Sequence, residues 1–171
     1  MELKMSKIIL GIDPGKEGGL ALLQDEKLLN FSVMPKKEND DVCFASIVRT
    51  LSEWRPDLIV LERAMPIAMG SKHAFNYGRD FAFLEIAISL SCIPVTYVEP
   101  SKWAKIMHEG ISSDFKPKAK SVVAFERLYS RFKEMIPKKQ ISKGANKGTF
   151  KYHDGIMEAI LIAGYGQRKL D

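Results

Sequence analysis

Hydrophobic positions along the chain fall into short unbroken runs and longer periodic stretches, and each run ends on a residue that breaks it. Ile8, Ile9, Leu10 and Ile12 make a buried-strand pattern that stops on a carboxylate, Asp13, and turns through Pro14 and Gly15. A second run, Gly19 to Leu23, follows within one tight turn. Gly15, Gly18 and Gly19 give the backbone the freedom a hairpin needs, so the two runs are read as antiparallel partners. Residues 26 to 35 continue as a third strand closed by Pro35. The polar stretch KKENDD then offers Asp40 or Asp41 as the cap of a helix carrying Phe44, Ile47, Val48 and Leu51 at three- and four-residue spacing, ended by Pro56. DLIVLE, residues 57 to 62, is a nearly all-apolar strand of the kind covered on both faces. Like the first, it ends on a carboxylate, Glu62.

Residues 63 to 72 contain Pro66 and Gly70 without a clear period and are read as a loop. A long helix is expected from 73 to 91. Its apolar residues (Phe75, Phe81, Phe83, Leu84, Ile86, Ile88, Leu90) wrap most of the circumference, which predicts one face on the sheet and another on a second copy of the chain. Burial of the whole helix within one globule is the alternative. Residues 93 to 100 read as a strand, Ser101 to His108 as a short helix opened by Ser101, and 113 to 132 as a basic loop leading into an amphipathic helix. Residues 133 to 151 hold six lysines opposed only by Glu134, with Gly144 and Gly148 keeping the segment a flexible loop. The last helix starts near His153 and carries Ile156, Met157, Ile160, Leu161 and Ala163 on its buried stripe. Strands interleaved with helices make an α/β fold.

At 171 residues the chain fits one domain spanning 1–171, with a core that needs no disulfides. No apolar run reaches the roughly 18 to 20 residues of a membrane span, and MELKMSK lacks the apolar segment of a signal peptide. Cys43 and Cys92 show no metal spacing and are expected to be buried free thiols of a cytoplasmic protein. Charge is unevenly placed. Residues 1 to 100 hold 11 Lys/Arg against 14 Asp/Glu, a net of −3, while 101 to 171 hold 15 against 7, a net of +8. A basic last third on an acidic scaffold suits a polyanion, nucleic acid before membrane, although a solvated basic surface accounts for the charge equally well.

On the last helix Asp154 and Glu158 stand four apart and share a face beside the apolar stripe. With Asp13 and Glu62 they give four carboxylates from three segments, all able to reach one rim of the sheet. Hard oxygen ligands of this kind suit Mg²⁺ or Mn²⁺, and two such ions can activate water and stabilise the leaving oxygen in phosphodiester cleavage. Each acid alone also has a structural reading: Asp13 as a turn cap, Glu62 as the partner of Arg63 or a lysine, Asp154 as the cap of its helix. Their conjunction with the basic last third favours the metal site.

GIDPG closing the first strand, LIVLE closing the fourth, and HDGIMEAILIA on the last helix together resemble the RuvC family of Holliday junction resolvases, in particular its bacteriophage members. The resemblance covers nearly the whole chain. It implies an RNase H-like fold with a central mixed five-stranded sheet flanked by helices. It also implies a homodimer through the 73–91 helix, and a divalent-metal endonuclease that nicks four-way DNA junctions symmetrically with two Mg²⁺ or Mn²⁺ ions per site. Carried over residue by residue, the metal ligands are Asp13, Glu62, Asp154 and Glu158, and Lys120 in the KAKS run sits near the scissile phosphate. The chain departs from the family in three places. Glu158 begins EAIL where the family has an aspartate. The acid pair is spaced by four instead of three, which leaves His153 or Asp154 as the first partner, with Asp154 favoured. Met65 stands where cellular members carry a wedging aromatic, which widens the expected taste to other branched DNA.

DNA contacts are expected from Met65, Lys72 and Arg79 around the start of the long helix, from Lys116, Lys118 and Lys120, and from Lys143, Lys147 and Lys151 in the lysine-rich segment; the lysines bind phosphates without reading sequence. His73 and His108 are read as surface or capping groups, and Trp54 and Trp103 as edges of the core. Two other functions compete: a non-catalytic binder of branched DNA on the same scaffold, and an actin-like ATPase or kinase, for which the chain is too short to hold a second domain.

Overall fold

The computed structural model describes residues 6–39, 41–63, 71–141, 144 and 146–169, without the side chains of 71–73. Five strands form one mixed sheet: β1 (Ile9–Asp13), β2 (Gly19–Gln24), β3 (Lys27–Val33), β4 (Leu58–Glu62) and β5 (Val95–Val98), in the order β3-β2-β1-β4-β5. β1 is the middle strand. It runs antiparallel to β2 on one side and parallel to β4 on the other, so the hairpin and the crossover connections meet at the strand that ends on Asp13. The whole is the α/β, RNase H-like arrangement with helices on both faces.

Alternation along β1 assigns its side chains to two cores. Ile9 faces the helix α5 (Asp154–Lys169), together with α4 (Pro117–Tyr129) and α3 (Pro100–Met107). Leu10 and Ile12 face α1 (Phe44–Trp54) and α2 (Ser71–Ser91) through Ile47, Leu51, Leu84 and Ile88. Gly11 lies on the α5 side, where a Cβ would stand 2.2 Å from the carbonyl oxygen of Ala159. Only glycine lets the helix come down onto the strand this closely.

Four expectations are corrected. The position capping α1 is Cys43, whose side chain makes no capping hydrogen bond and accepts instead from the Ser46 hydroxyl at 3.2 Å, because Asp41 is engaged by Arg79 at 2.5 Å and Lys16 at 3.5 Å; Asp40 lies outside the described residues. α3 opens on Pro100, whose fixed φ suits the first helical position, one residue before Ser101. The lysine-rich segment is no simple loop. After a 3-10 turn (Ser130–Met135), β6 (Lys138–Gln140) pairs antiparallel with β7 (Phe150–Tyr152), and Lys138 Nζ stands 4.9 Å over the Tyr152 ring. Cys43 and Cys92 are free, but Cys43 is half-buried and Cys92 exposed, at the left-handed residue (φ 55°) that ends α2. Among the described residues no helix is long and apolar enough to cross a membrane.

Candidate active site

The parallel register Ile12↔Leu61 brings Asp13 and Glu62 to adjacent strand ends. The third segment arrives through glycine. Gly155, in the first turn of α5, forms an isolated bridge with Gly18, and a Cβ on Gly155 would lie 2.2 Å from the Glu17 carbonyl oxygen and 2.7 Å from Gly18 Cα. The helix start is thereby pressed against the turn that follows Asp13, and Glu158, one turn on, reaches the same rim. From α2, the Tyr77 ring covers Gly15 in that turn.

Three of the acids are raised together, and Glu158 adds to the rise of the other two. Burial pushes the Asp13 carboxyl well above its ordinary range, and Glu158, Glu62 and Asp154 push it further while Lys118 opposes them. Burial lifts Glu62 to about 7 against a hydrogen bond from Trp103, with Glu158 adding to the rise. That bond runs from the indole Nε1 to Oε2 over 2.5 Å. Glu158 is likewise raised by burial, opposed by the Ser121 hydroxyl, which donates to Oε1 at 2.9 Å, and by Lys118. The Tyr77 phenol, pushed up to about 12 by burial and by Glu62 and Asp13, keeps its proton.

Asp154 behaves oppositely. Burial alone would raise it, but Lys139, Lys151 and Lys118 hold it well below the usual carboxylate range. Lys139 Nζ is 2.6 Å from Oδ1, and Lys151 and Lys118 are 2.9 and 3.5 Å from Oδ2. The Lys139 contact is an ion pair without hydrogen-bond alignment, since Oδ1 is buried and takes no aligned donor. Neighbouring His153 is buried, its Nδ1 without a partner and its backbone N–H on the Pro137 carbonyl. It is Asp154 that both Asp13 and Glu158 feel.

Among the described residues no three His, Cys, Asp or Glu side chains enclose an ion as they stand. The donor set nevertheless suits a hard divalent cation: every group is a carboxylate, the site is half-buried, and the repulsion of Asp13 by Glu62 and Glu158, and of Glu62 by Glu158, is what such a cation would relieve. Asp154 would join them once released from its lysines.

The other predicted contacts are scattered. Lys118 is exposed at the rim and Lys151 is on β7 beside Asp154. Both line a mostly apolar cavity of about 290 Å³ floored by Val122, Tyr152 and Met157. Lys120, two residues beyond Lys118 and so ~200° around the helix, instead borders a cavity with Ala104, Lys105 and His108. Lys116 is the exposed cap of α4, and Lys147 is exposed in the β6–β7 connection. Arg79 is tied to Asp41 and, at 3.2 Å, to the buried Asp80. Met65, Lys143 and the Lys72 side chain lie outside the described residues. Four site residues went unnoticed in the sequence or were given another role: Trp103, Ser121, Tyr77 and Lys139.

No family model matches the chain, and no curated protein matches it by sequence. Solved structures do match. Thermus thermophilus RuvC in complex with Holliday junction substrate aligns with a TM-score of 0.60 at 15% identity, over 95% of each chain. The fowlpox virus resolvase in complex with substrate Holliday junction DNA aligns at 0.53 and 16% identity, over 95% of this chain and 98% of that one. The yeast mitochondrial Holliday junction resolvase Ydc2 aligns at 0.52 and 16% identity, over 94% of this chain and 77% of that one. These likenesses establish the shared fold.

Proposed function

We propose that this chain is a divalent-metal-dependent endonuclease that nicks four-way DNA junctions, working as a homodimer. The observation that carries the reading is the meeting of Asp13, Glu62 and Glu158, from β1, β4 and α5, at one half-buried rim where all three are raised and Glu158 pushes up both of the others, beside a set of lysines. Buried like charges are costly unless something positive joins them. The Holliday junction substrates of the aligned Thermus and fowlpox proteins point to the same class of DNA.

In this reading Asp13, Glu62, Glu158 and Asp154 hold the metal. Bound there, two divalent ions would activate a water and stabilise the leaving oxygen of the cut phosphodiester. The protein's own part is positional. Trp103 fixes one oxygen of Glu62, Ser121 one oxygen of Glu158, and the close helix start sets the height of Asp154 and Glu158 above the strand ends. Lys118 and Lys151 stand at the rim, where a backbone phosphate would enter. Phe75, Ile86 and Leu90 share one exposed face of α2, which supplies the apolar surface for a two-fold dimer whose sites address opposite strands.

The test is a synthetic four-way junction and a linear duplex of matched sequence, each with Mg²⁺ or Mn²⁺, cut by the wild type and by Asp13→Asn. Paired nicks in the junction are expected from the wild type, with no cutting of the duplex and none by the variant. Nicking by Asp13→Asn at the wild-type rate would overturn the site. Tight junction binding without cleavage under either metal would favour a non-catalytic junction binder.

A further inference from the structure

Lys139 and Lys151 are register partners across the β6–β7 hairpin. Like charges directly opposite one another on a strand pair destabilise it, and this pair is tolerated because both ammonium groups close on one carboxylate, Asp154, at 2.6 and 2.9 Å. Asp154 is itself almost buried, its side chain 10% exposed. Lys139 also reaches Glu17 at 3.1 Å, in the turn after Asp13, which fixes the hairpin over the site from the other side. The same carboxylate is thus the counter-ion of a lysine pair and a member of the acid cluster, and it cannot fully serve both.

We propose that the Lys139–Lys151 pair is a binding site for a DNA backbone phosphate, closed by Asp154 in the free protein and opened when a divalent cation takes Asp154. The inference rests on the metal-nuclease reading above. Its logic is exchange of partners. A cation drawing Asp154 toward Asp13 and Glu158 takes from the two facing lysines the anion they share, leaving Lys139 on Glu17 alone, and a phosphodiester oxygen replaces it. Metal and DNA backbone therefore strengthen each other's binding, and by linkage each does so by the same factor. Toward the metal, Lys139 acts only through Asp154. Without DNA the lysines compete with the metal, so the free protein holds its ions weakly.

The exchange is tested by titrating Mn²⁺ into the DNA-free protein by calorimetry, for the wild type, Lys139→Met, Lys151→Met and a charge control, Lys147→Met. Either clamp variant is expected to bind Mn²⁺ about tenfold more tightly than wild type, within the usual range of site-to-site coupling, and the control to match wild type. In the second arm, junction binding is followed by anisotropy with Ca²⁺ or with EDTA. The gain on adding Ca²⁺ should be large for wild type and clearly smaller for Lys139→Met. Unchanged Mn²⁺ affinity in both clamp variants, or equal tightening in Lys147→Met, would overturn the exchange while leaving the metal site standing. No Mn²⁺ binding by any of the four proteins would overturn the metal site and the exchange together. If inorganic phosphate tightens Mn²⁺ as much as the junction does, the site takes phosphate in general, and its assignment to the DNA backbone falls.

Discussion

The Trp103 indole N–H donates to Glu62 Oε2 over 2.5 Å, linking the first turn of α3 to the end of β4. A donor aimed at a carboxylate favours its ionised form, and Glu62, at about 7, is high even with this help. Trp103→Phe keeps an aromatic in the core and removes the donor, so Glu62 should ionise later. The rise of the nicking rate with pH should move upward by about one unit, the size expected for losing a hydrogen bond to a charged group. A purely structural loss would lower the plateau and leave the rise in place; a pH–rate profile of both proteins decides.

Stability of the metal-free protein should fall as pH rises. A carboxyl that titrates near 4.5 in the unfolded chain and near 7 in the fold contributes up to about 3 kcal/mol below pH 4.5 and loses it as pH climbs through 7. Asp13 acts in the same direction. Asp154, held low by its lysines, acts oppositely, and its contribution is lost only in acid below its unfolded value near 3.8. Urea unfolding in EDTA at pH 5 and pH 8 measures the slope. Glu62→Gln should be more stable than wild type at pH 8, and Mg²⁺ should flatten the wild-type curve.

Gly155→Ala should destabilise the fold by about 1 to 3 kcal/mol, the usual cost of overpacking, because the new methyl meets backbone and not a side chain that can swing away. Gly78→Ala, whose Cβ meets nothing within 4 Å, is the control, and helix propensity favours alanine there. Chemical denaturation reads both, and the Gly155 variant should also lose nicking beyond its loss of stability.

Ile86→Glu tests the dimer. Ile86 is half exposed on α2, between the more exposed Phe75 and Leu90, so a charge there leaves the core alone. Sedimentation should show monomer for the variant and dimer for wild type, and the paired junction cuts should become single ones.

Junction binding should weaken steeply with salt, and Lys118→Met should reduce the slope of log K against log[salt] by about one, the mark of a single phosphate contact. Lys120→Met serves as the comparison, since Lys120 lies on the far side of α4 beside His108.

What the sequence made legible was whatever local pattern encodes. Asp13 and Glu62 stand out because each ends an apolar run, and Asp154 and Glu158 because a spacing of four puts them on one helix face. The five strands follow from the same reasoning. The rest depended on distance in the chain. Trp103 reaches Glu62 across 41 positions and Ser121 reaches Glu158 across 37, and neither has a spacing to announce it. The β6–β7 hairpin was hidden for a different reason. Its strands are three residues each and rich in lysine, a composition that reads as solvated loop until a buried carboxylate gathers the charge. Asp41 was read as a cap from its position alone, but a nearby guanidinium on α2 outbids an amide at a helix start.

The register between β1 and β4 reaches further than the positions of two side chains. Because Ile12 sits beside Leu61 in a hydrogen-bonded ladder, the gap between the carboxylates that follow belongs to the peptide backbone, at about 4.8 Å per strand. A lineage could exchange nearly every apolar residue behind those strand ends and leave that gap untouched. Inserting or deleting one residue within LIVLE, by contrast, would swing the glutamate through the sheet to the opposite layer in a single step.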